Sequence, residues 1–323
     1  MGGIGRASAK LILFGEHAAV HGYMAVGVSL PEGTTVRLSG KAARAWTLLN
    51  VAAEDRNTIL AVLARMEELL PALASQGRCR VQVESNVVRG AGFGSSAALC
   101  SALARAALAH GGRGGPPWDR DREWGLAHDA ERLFHGTPSG IDTGLSLMDG
   151  MFAFRPRPPQ LPECEPLFGQ ALHLVVAAVP RDEACGVLVA SLGKRVRSGE
   201  RVACESVRAL GGLAAAARET VCSGASDGAA RIAGLADAAM ENLRRLSLST
   251  PWLDRLLAAG RSEGALGGKL SGAGGGGAFF LVVRDPEIAG AVAARLMAEA
   301  RQAGIPLVSD ARILAAGGLK DRP

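Results

Sequence analysis

The sequence predicts two lobes that each mix short strands with helices, and three observations carry that reading. The chain is 323 residues long, more than one ordinary core usually fills, so two modest cores are the natural division. Its first part alternates short apolar runs with Gly and Pro, as strands joined by tight turns do. Further on, apolar residues recur at helical spacing and then give way again to apolar runs of strand length. A cleft between two lobes is a natural place for a site.

Taken in order, residues 9–38 (KLILFG, AAVHGYMAVGVSL, TTVRLSG) read as a set of strands. Asn57 to Ala74 has helical spacing, and Cys79 to Ser85 alternates as a strand that runs into a glycine loop. A second helix follows the loop through Ala109, and the pair Gly111-Gly112 ends it. The stretch Gly111–Pro117 reads as a surface connection, and the proline-rich stretch Arg155–Pro166 as an extended link. A boundary near 165 divides the chain into an N-terminal lobe, 1–165, and a C-terminal lobe, 166–323. Beyond it come a strand at Leu172–Pro180, Ala-rich helices between Lys194 and Gly260, and a glycine loop feeding the strand AFFLVV. A helix near Pro286–Ala303 and a last short strand close the chain.

Composition excludes several classes. With 48% hydrophobic and 21% charged residues the chain reads as globular. Eight Phe, four Trp and one Tyr leave little material for stacking single-stranded nucleic acid. The net charge of +5 comes from scattered arginines without a basic block, which suits anionic small molecules such as nucleotides. Neither a nucleic-acid nor a membrane partner is expected. Six cysteines without a CxxC pair predict reduced thiols and a cytoplasmic setting, and the apolar run Leu11–Phe14 is too short for a signal peptide or membrane span.

Two stretches carry the chemistry. GAGFGSSAA (Gly90–Ala98) lies between a predicted strand and a predicted helix, so free amides and the positive helix end face a place where phosphates can sit. No Gly-Lys-Ser/Thr closes it, so it is not a Walker loop, and Ser95 stands where a dinucleotide fingerprint needs its third Gly. Read alone, it is equally a turn in which Ser95 or Ser96 caps a helix. ERLFHGTPSGID (Glu131–Asp142) puts one carboxylate late in a helix and another beyond a turn forced by Gly136, Pro138 and Gly140. Phosphoryl transfer needs an oxygen ligand for Mg²⁺ and an acceptor for an alcohol proton, and two converging acids suit those jobs. Read alone, Glu131 is a solvated helix residue, Asp142 a cap, and His135 structural.

Two further stretches flank these. KLILFGEHAAVHG places Lys10 before an apolar strand and Glu16 and His17 after it, either lining a site or forming a surface Lys-Glu pair of little weight. KLSGAGGGG (Lys269–Gly277) matches GxGxxG only formally, because a strand follows where a helix is required. It reads as a flexible, anion-facing loop.

These four stretches, in this order, resemble the GHMP kinases across most of the chain. ILFGEHAAVHG with HGTPSGID looks most like the mevalonate kinase family within them. The resemblance implies an α+β fold with a ribosomal-S5-like N-terminal lobe and a ferredoxin-like C-terminal lobe. It implies a kinase that takes ATP, Mg²⁺ and mevalonate, with a homodimer left open. By motif position it implies that Ser96 and Glu131 ligate Mg²⁺, that Asp142 is the catalytic base, and that Lys10 sits beside Asp142 and the transferring group. Gly90, Ala91, Gly92, Phe93, Gly94, Ser95 and Ser96 would wrap the nucleotide phosphates. Glu16, His17, Gly272, Ala273 and Gly274 would line the acceptor pocket. The loop departs from the family pattern in Phe93 and in the preceding Val88-Arg89, where Arg89 either meets phosphate or faces water. Another GHMP activity, such as phosphomevalonate kinase, and an inactive ligand-sensing homologue are the alternatives.

Overall fold

The computed structural model describes residues 2–111, 119–169, 171–181, 183 and 185–316. The connection expected over Gly111–Pro117 lies, beyond Gly111, outside the described residues. The chain forms two compact units: residues 1–10, 29–87 and 94–149 make the first, and 11–28, 88–93 and 150–323 the second.

The elements that build the first unit are strand β1 (Gly3–Phe14), β2 (Ala25–Ala43), β3 (Thr47–Leu49), helix α1 (Ala53–Leu69), α2 (Pro71–Ser75), β4 (Arg78–Ser85), α3 (Ser95–Gly111), α4 (Arg120–His135) and α5 (Ile141–Leu147). Residues 9–38, expected as several strands, are the end of one long strand, a turn and most of another. The helix expected over Asn57–Ala74 breaks at Leu70, because Pro71 lacks the N–H that would continue it and opens α2 instead. Thr34–Ala43 of β2 pairs antiparallel with β4, which pairs in parallel with β3. The unit's centre is α3, which meets α1, α2, α4 and α5. Its buried alanines (Ala97, Ala98, Ala102, Ala104, Ala106, Ala107) let these neighbours approach closely. Asp119 caps α4 by accepting from the amide of Arg122.

The second unit takes in Leu11–Phe14, the end of β1, and Ala25–Val28 of β2, which pair with β5 (Met151–Arg157). It continues through β6 (Gln160–Pro166), β7 (Leu172–Val179), α6 (Cys185–Arg197), α7 (Arg201–Ser223), α8 (Gly228–Arg245), α9 (Pro251–Ser262), β8 (Gly267–Leu270), β9 (Gly277–Val283), α10 (Pro286–Ala303) and β10 (Ser309–Ala316). The stretch expected as an extended link, Arg155–Pro166, is not a linker but part of the antiparallel β5–β6 pair, in register from Phe152–Pro166 to Arg155–Glu163 and shifted before the last pair, Arg157–Gln160. The sheet β10-β7-β9-β8 is antiparallel throughout. Numbered along the chain its strands run 4-1-3-2, with helices after the first and third, which is the ferredoxin-like arrangement expected. Leu174–Val179 and Ala278–Val283 are wholly buried, and each large apolar side chain there contributes about 1.5–3 kcal/mol. Asp285 caps α10 through the amides of Glu287 and Ile288 ahead of Pro286, and Gly304 closes it in the left-handed region.

Among the described residues no helix is long and apolar enough to cross a membrane. No disulfide joins any of the six cysteines.

Candidate active site

In the first unit the structure brings together Lys10, Ser96, Glu131 and Asp142. Lys10 lies on β1 with 5% of its surface exposed, and its ammonium is 3.0 Å from Asp142 Oδ2. The alternative of a surface lysine is thereby excluded. Asp142 is the second residue of α5, and Gly140, at φ +80°, lets the chain turn into that helix. The Gly140 carbonyl accepts from Trp124 Nε1 at 2.9 Å and from Thr143 Oγ1 at 3.1 Å. Trp124 therefore pins the turn that aims Asp142, a role with no local sequence signal.

Glu131, on α4, is buried rather than solvated, with 1% of its surface exposed. Neither carboxylate oxygen has a hydrogen-bond partner. Burial pushes its carboxyl up to about 8, the Asp142 carboxylate adds to the rise, and Lys10 opposes it. One turn further along α4, His135 Nε2 lies 3.2 Å from Ser96 Oγ, so Ser96 of α3 and Glu131 of α4 address the same place. His135 was not among the expected site residues. Two buried acceptor oxygens without donors fit a divalent cation, whose charge would hold Glu131 ionised. Among the described residues no three His, Cys, Asp or Glu side chains could hold a metal unaided. That suits Mg²⁺, which commonly takes one or two carboxylates and completes its shell with water and phosphate.

The glycine loop joins this group through Gly94. At φ +75° it stands where a Cβ would come within 2.8 Å of Lys10 Cγ and Cε, so the loop's last glycine makes room for Lys10. Ser95 and Ser96 open α3, with their amides at its positive end. Of the residues before them, Ala91 and Phe93 turn buried side chains inward, and any ligand contact there comes from the backbone. Arg89 is exposed.

In the second unit Glu16 and His17 are buried, at 5% and 6% exposure. Glu16 pairs with Lys269, and His17 Nε2 donates to the Ala273 carbonyl at 2.9 Å. Ser271 Oγ donates to the Ile12 carbonyl at 2.8 Å. The late glycine stretch is therefore not simply a flexible loop: Lys269 and Leu270 end β8, and the next residues are fastened to the end of β1 and the turn after it. Gly272 and Gly274 take φ of +86° and +84° on either side of Ala273. Sequence reasoning also passed over Arg181, packed so closely that a Cβ on Gly92 would lie 2.7 Å from its Nη2. Its Nη1 donates to Cys185 Sγ at 2.5 Å.

The family model of the GHMP kinases N-terminal domain matches residues 57–150 and that of the GHMP kinases C-terminal domain residues 219–302, together more than half of the chain. The chain belongs to the GHMP kinases. Membership makes it an ATP-dependent kinase of small molecules. It is 28% identical to the mevalonate kinase of Pyrococcus horikoshii over 319 residues, covering 88% of this chain and 90% of that one. With the mevalonate kinase of Aeropyrum pernix it shares 27% over 309 residues, again 88% and 90% of the two chains. Among solved structures, L. major mevalonate kinase in complex with R-mevalonate matches with a TM-score of 0.77 at 22% identity, over 98% of this chain and 96% of that one. At that identity the likeness carries the fold, and it bears out the mixed α/β architecture expected.

Proposed function

We propose that this GHMP kinase is a mevalonate kinase, which transfers the γ-phosphoryl group of ATP to the 5-hydroxyl of mevalonate in the cytoplasmic synthesis of isoprenoids. The observation that carries the chemistry is the Lys10–Asp142 pair beside a buried, unpartnered Glu131. The acceptor is supported by the mevalonate kinases that align along most of the chain.

Asp142 orients the acceptor hydroxyl and takes its proton. Phosphoryl transfer passes through a loose transition state in which the nucleophile's proton leaves late, so a carboxylate paired with a cation is basic enough for the task. Lys10 holds that carboxylate in place and offsets charge gathering on the transferred group. The first lobe, taken as residues 1–165, holds the nucleotide: Gly90 to Ser96 offer amides to its phosphates. Ser96 and Glu131 are the residues that would hold Mg²⁺, which would neutralise phosphate oxygens as the group leaves ADP. His135 orients the Ser96 hydroxyl. Glu16, His17 and Gly272 to Gly274 serve the acceptor.

The deciding experiment is a coupled ADP-release assay with mevalonate, phosphomevalonate, galactose and homoserine as acceptors. Turnover with mevalonate at a kcat/KM well above the other three is expected. Preference for any other acceptor, or no ADP release, overturns the proposal.

A further inference from the structure

Lys269 is a lysine with no exposed surface. Its ammonium pairs with Glu16, donates to the Leu270 carbonyl at 2.6 Å, and lies 5.8 and 5.4 Å from the ring centres of Phe14 and Phe280. Two other bonds run beside it, Ser271 to Ile12 and His17 to Ala273. Together these fasten the 15–17 turn to residues 269–273, all within the second unit. Apolar side chains of similar volume would hold two segments together at least as well, since a buried ion pair must first lose its water. Cohesion alone gives no reason for a charge here.

What the clamp fixes is the state of His17. The residue sits at φ +59°, a conformation that a non-glycine residue keeps only when its surroundings impose it. Because Ala273 offers only a carbonyl oxygen, Nε2 carries the ring proton, and Nδ1 is left with a lone pair, buried and without a partner. Burial and the nearby Lys269 charge keep the ring neutral. A neutral imidazole nitrogen in that state is a hydrogen-bond acceptor, and a hydroxyl donor satisfies it.

We propose that Lys269 is a positioning residue for the phosphoryl acceptor: through Glu16 it holds the 15–17 turn so that His17 Nδ1 receives a hydroxyl of the acceptor. The proposal rests on the kinase reading above. It separates the acceptor, which this clamp governs, from ATP, which it does not.

The test is a mutant cycle in the ADP-release assay with KM measured separately for ATP and acceptor. The variants are Lys269→Met, His17→Phe and the two combined, with Glu16→Gln/Lys269→Met as a version that strands no charge. Lys269→Met is expected to raise acceptor KM by about tenfold or more while ATP KM moves by less than about twofold. The combined Lys269→Met/His17→Phe variant is expected to be no worse than His17→Phe alone, because both break one path. Glu16→Gln/Lys269→Met is expected to melt like wild type and still show the raised acceptor KM, which keeps the test available if Lys269→Met does not fold. Wild-type acceptor KM in that variant, additive effects in the cycle, or equal loss of ATP and acceptor affinity would each overturn the proposal while leaving the kinase reading intact. A wild-type protein that turns over none of the four acceptors removes both.

Discussion

Lys10 and Asp142 face each other across 3.0 Å, and the glycine loop reaches this pair through Gly94, which leaves the room that the Lys10 side chain occupies. One strand residue is thus held by the residue that would take the proton and by the loop that would hold the phosphates.

Asp142→Asn keeps the size of the side chain and a partner for Lys10 but removes the basic oxygen. Turnover should fall by about 10²–10⁴-fold, the usual weight of a positioned acid or base, with the KM for ATP and for mevalonate nearly unchanged. Near-wild-type kcat in steady-state assays would take Asp142 out of the mechanism.

Glu131→Gln should leave the metal-free protein's melting temperature at pH 7 almost where it was. The carboxyl, with its pKa pushed to about 8, is protonated at that pH, and Gln imitates the neutral acid. The Mg²⁺ concentration for half-maximal rate should rise, and the extra thermal stabilisation that ATP gains from Mg²⁺ should shrink. An unchanged Mg²⁺ titration and thermal shift would make Glu131 a structural residue.

How much of this was legible follows the punctuation of the chain. The limits of α10 could be read because Asp285-Pro286 starts it and Gly304 ends it, and Asp142 could be read because Gly136, Pro138 and Gly140 force a turn before it. β6 was misread as a linker because it holds Pro162 and Pro166, which a strand tolerates when it lies at a sheet edge, as β6 does. β8 escaped notice because Gly-Gly-Lys-Leu has little strand preference, and pairing with β9 makes it a strand. Read alone, Glu131 is expected to be solvated, and Lys269 drew no reading of its own, because charged side chains almost never go fully inside. Their burial depends on partners distant in sequence, which no local pattern records.

His17 supplies a pH signature. Its pKa falls from the ordinary 6.5 to about 4, chiefly through burial. The folded state therefore binds a proton less readily than the unfolded chain. Its contribution to stability is present above about 6.5 and is lost as pH falls toward about 4, on the order of 3 kcal/mol in all. Melting temperature should drop over that window, and His17→Phe should flatten the drop. Equal slopes in both proteins would show that His17 is not the group responsible.

The glycine loop gives the sharpest separation of roles, because Gly92, Gly94 and Ser96 fail in different ways. Gly92 is at φ +94° with Arg181 Nη2 and the Ala278 amide close by. Gly92→Val must therefore strain the backbone and displace Arg181 as well as block phosphate approach, and nucleotide affinity should collapse. Gly94→Ala adds one methyl, but at φ +75° and 2.8 Å from Lys10 Cγ and Cε that methyl must push the lysine away from Asp142. Its effect should fall mainly on kcat, in parallel with Lys10→Met, and combining the two should cost little more than either alone. Ser96→Ala leaves the amides of α3 in place and removes the hydroxyl that meets His135. It should lower turnover and raise the Mg²⁺ requirement while ATP still binds. Nucleotide titration with and without Mg²⁺, melting curves for each variant and steady-state kcat distinguish the three outcomes. Full turnover in Gly94→Ala would mean that the loop and Lys10 are not coupled, and normal ATP binding by Gly92→Val would reduce the loop to an ordinary strand-to-helix turn.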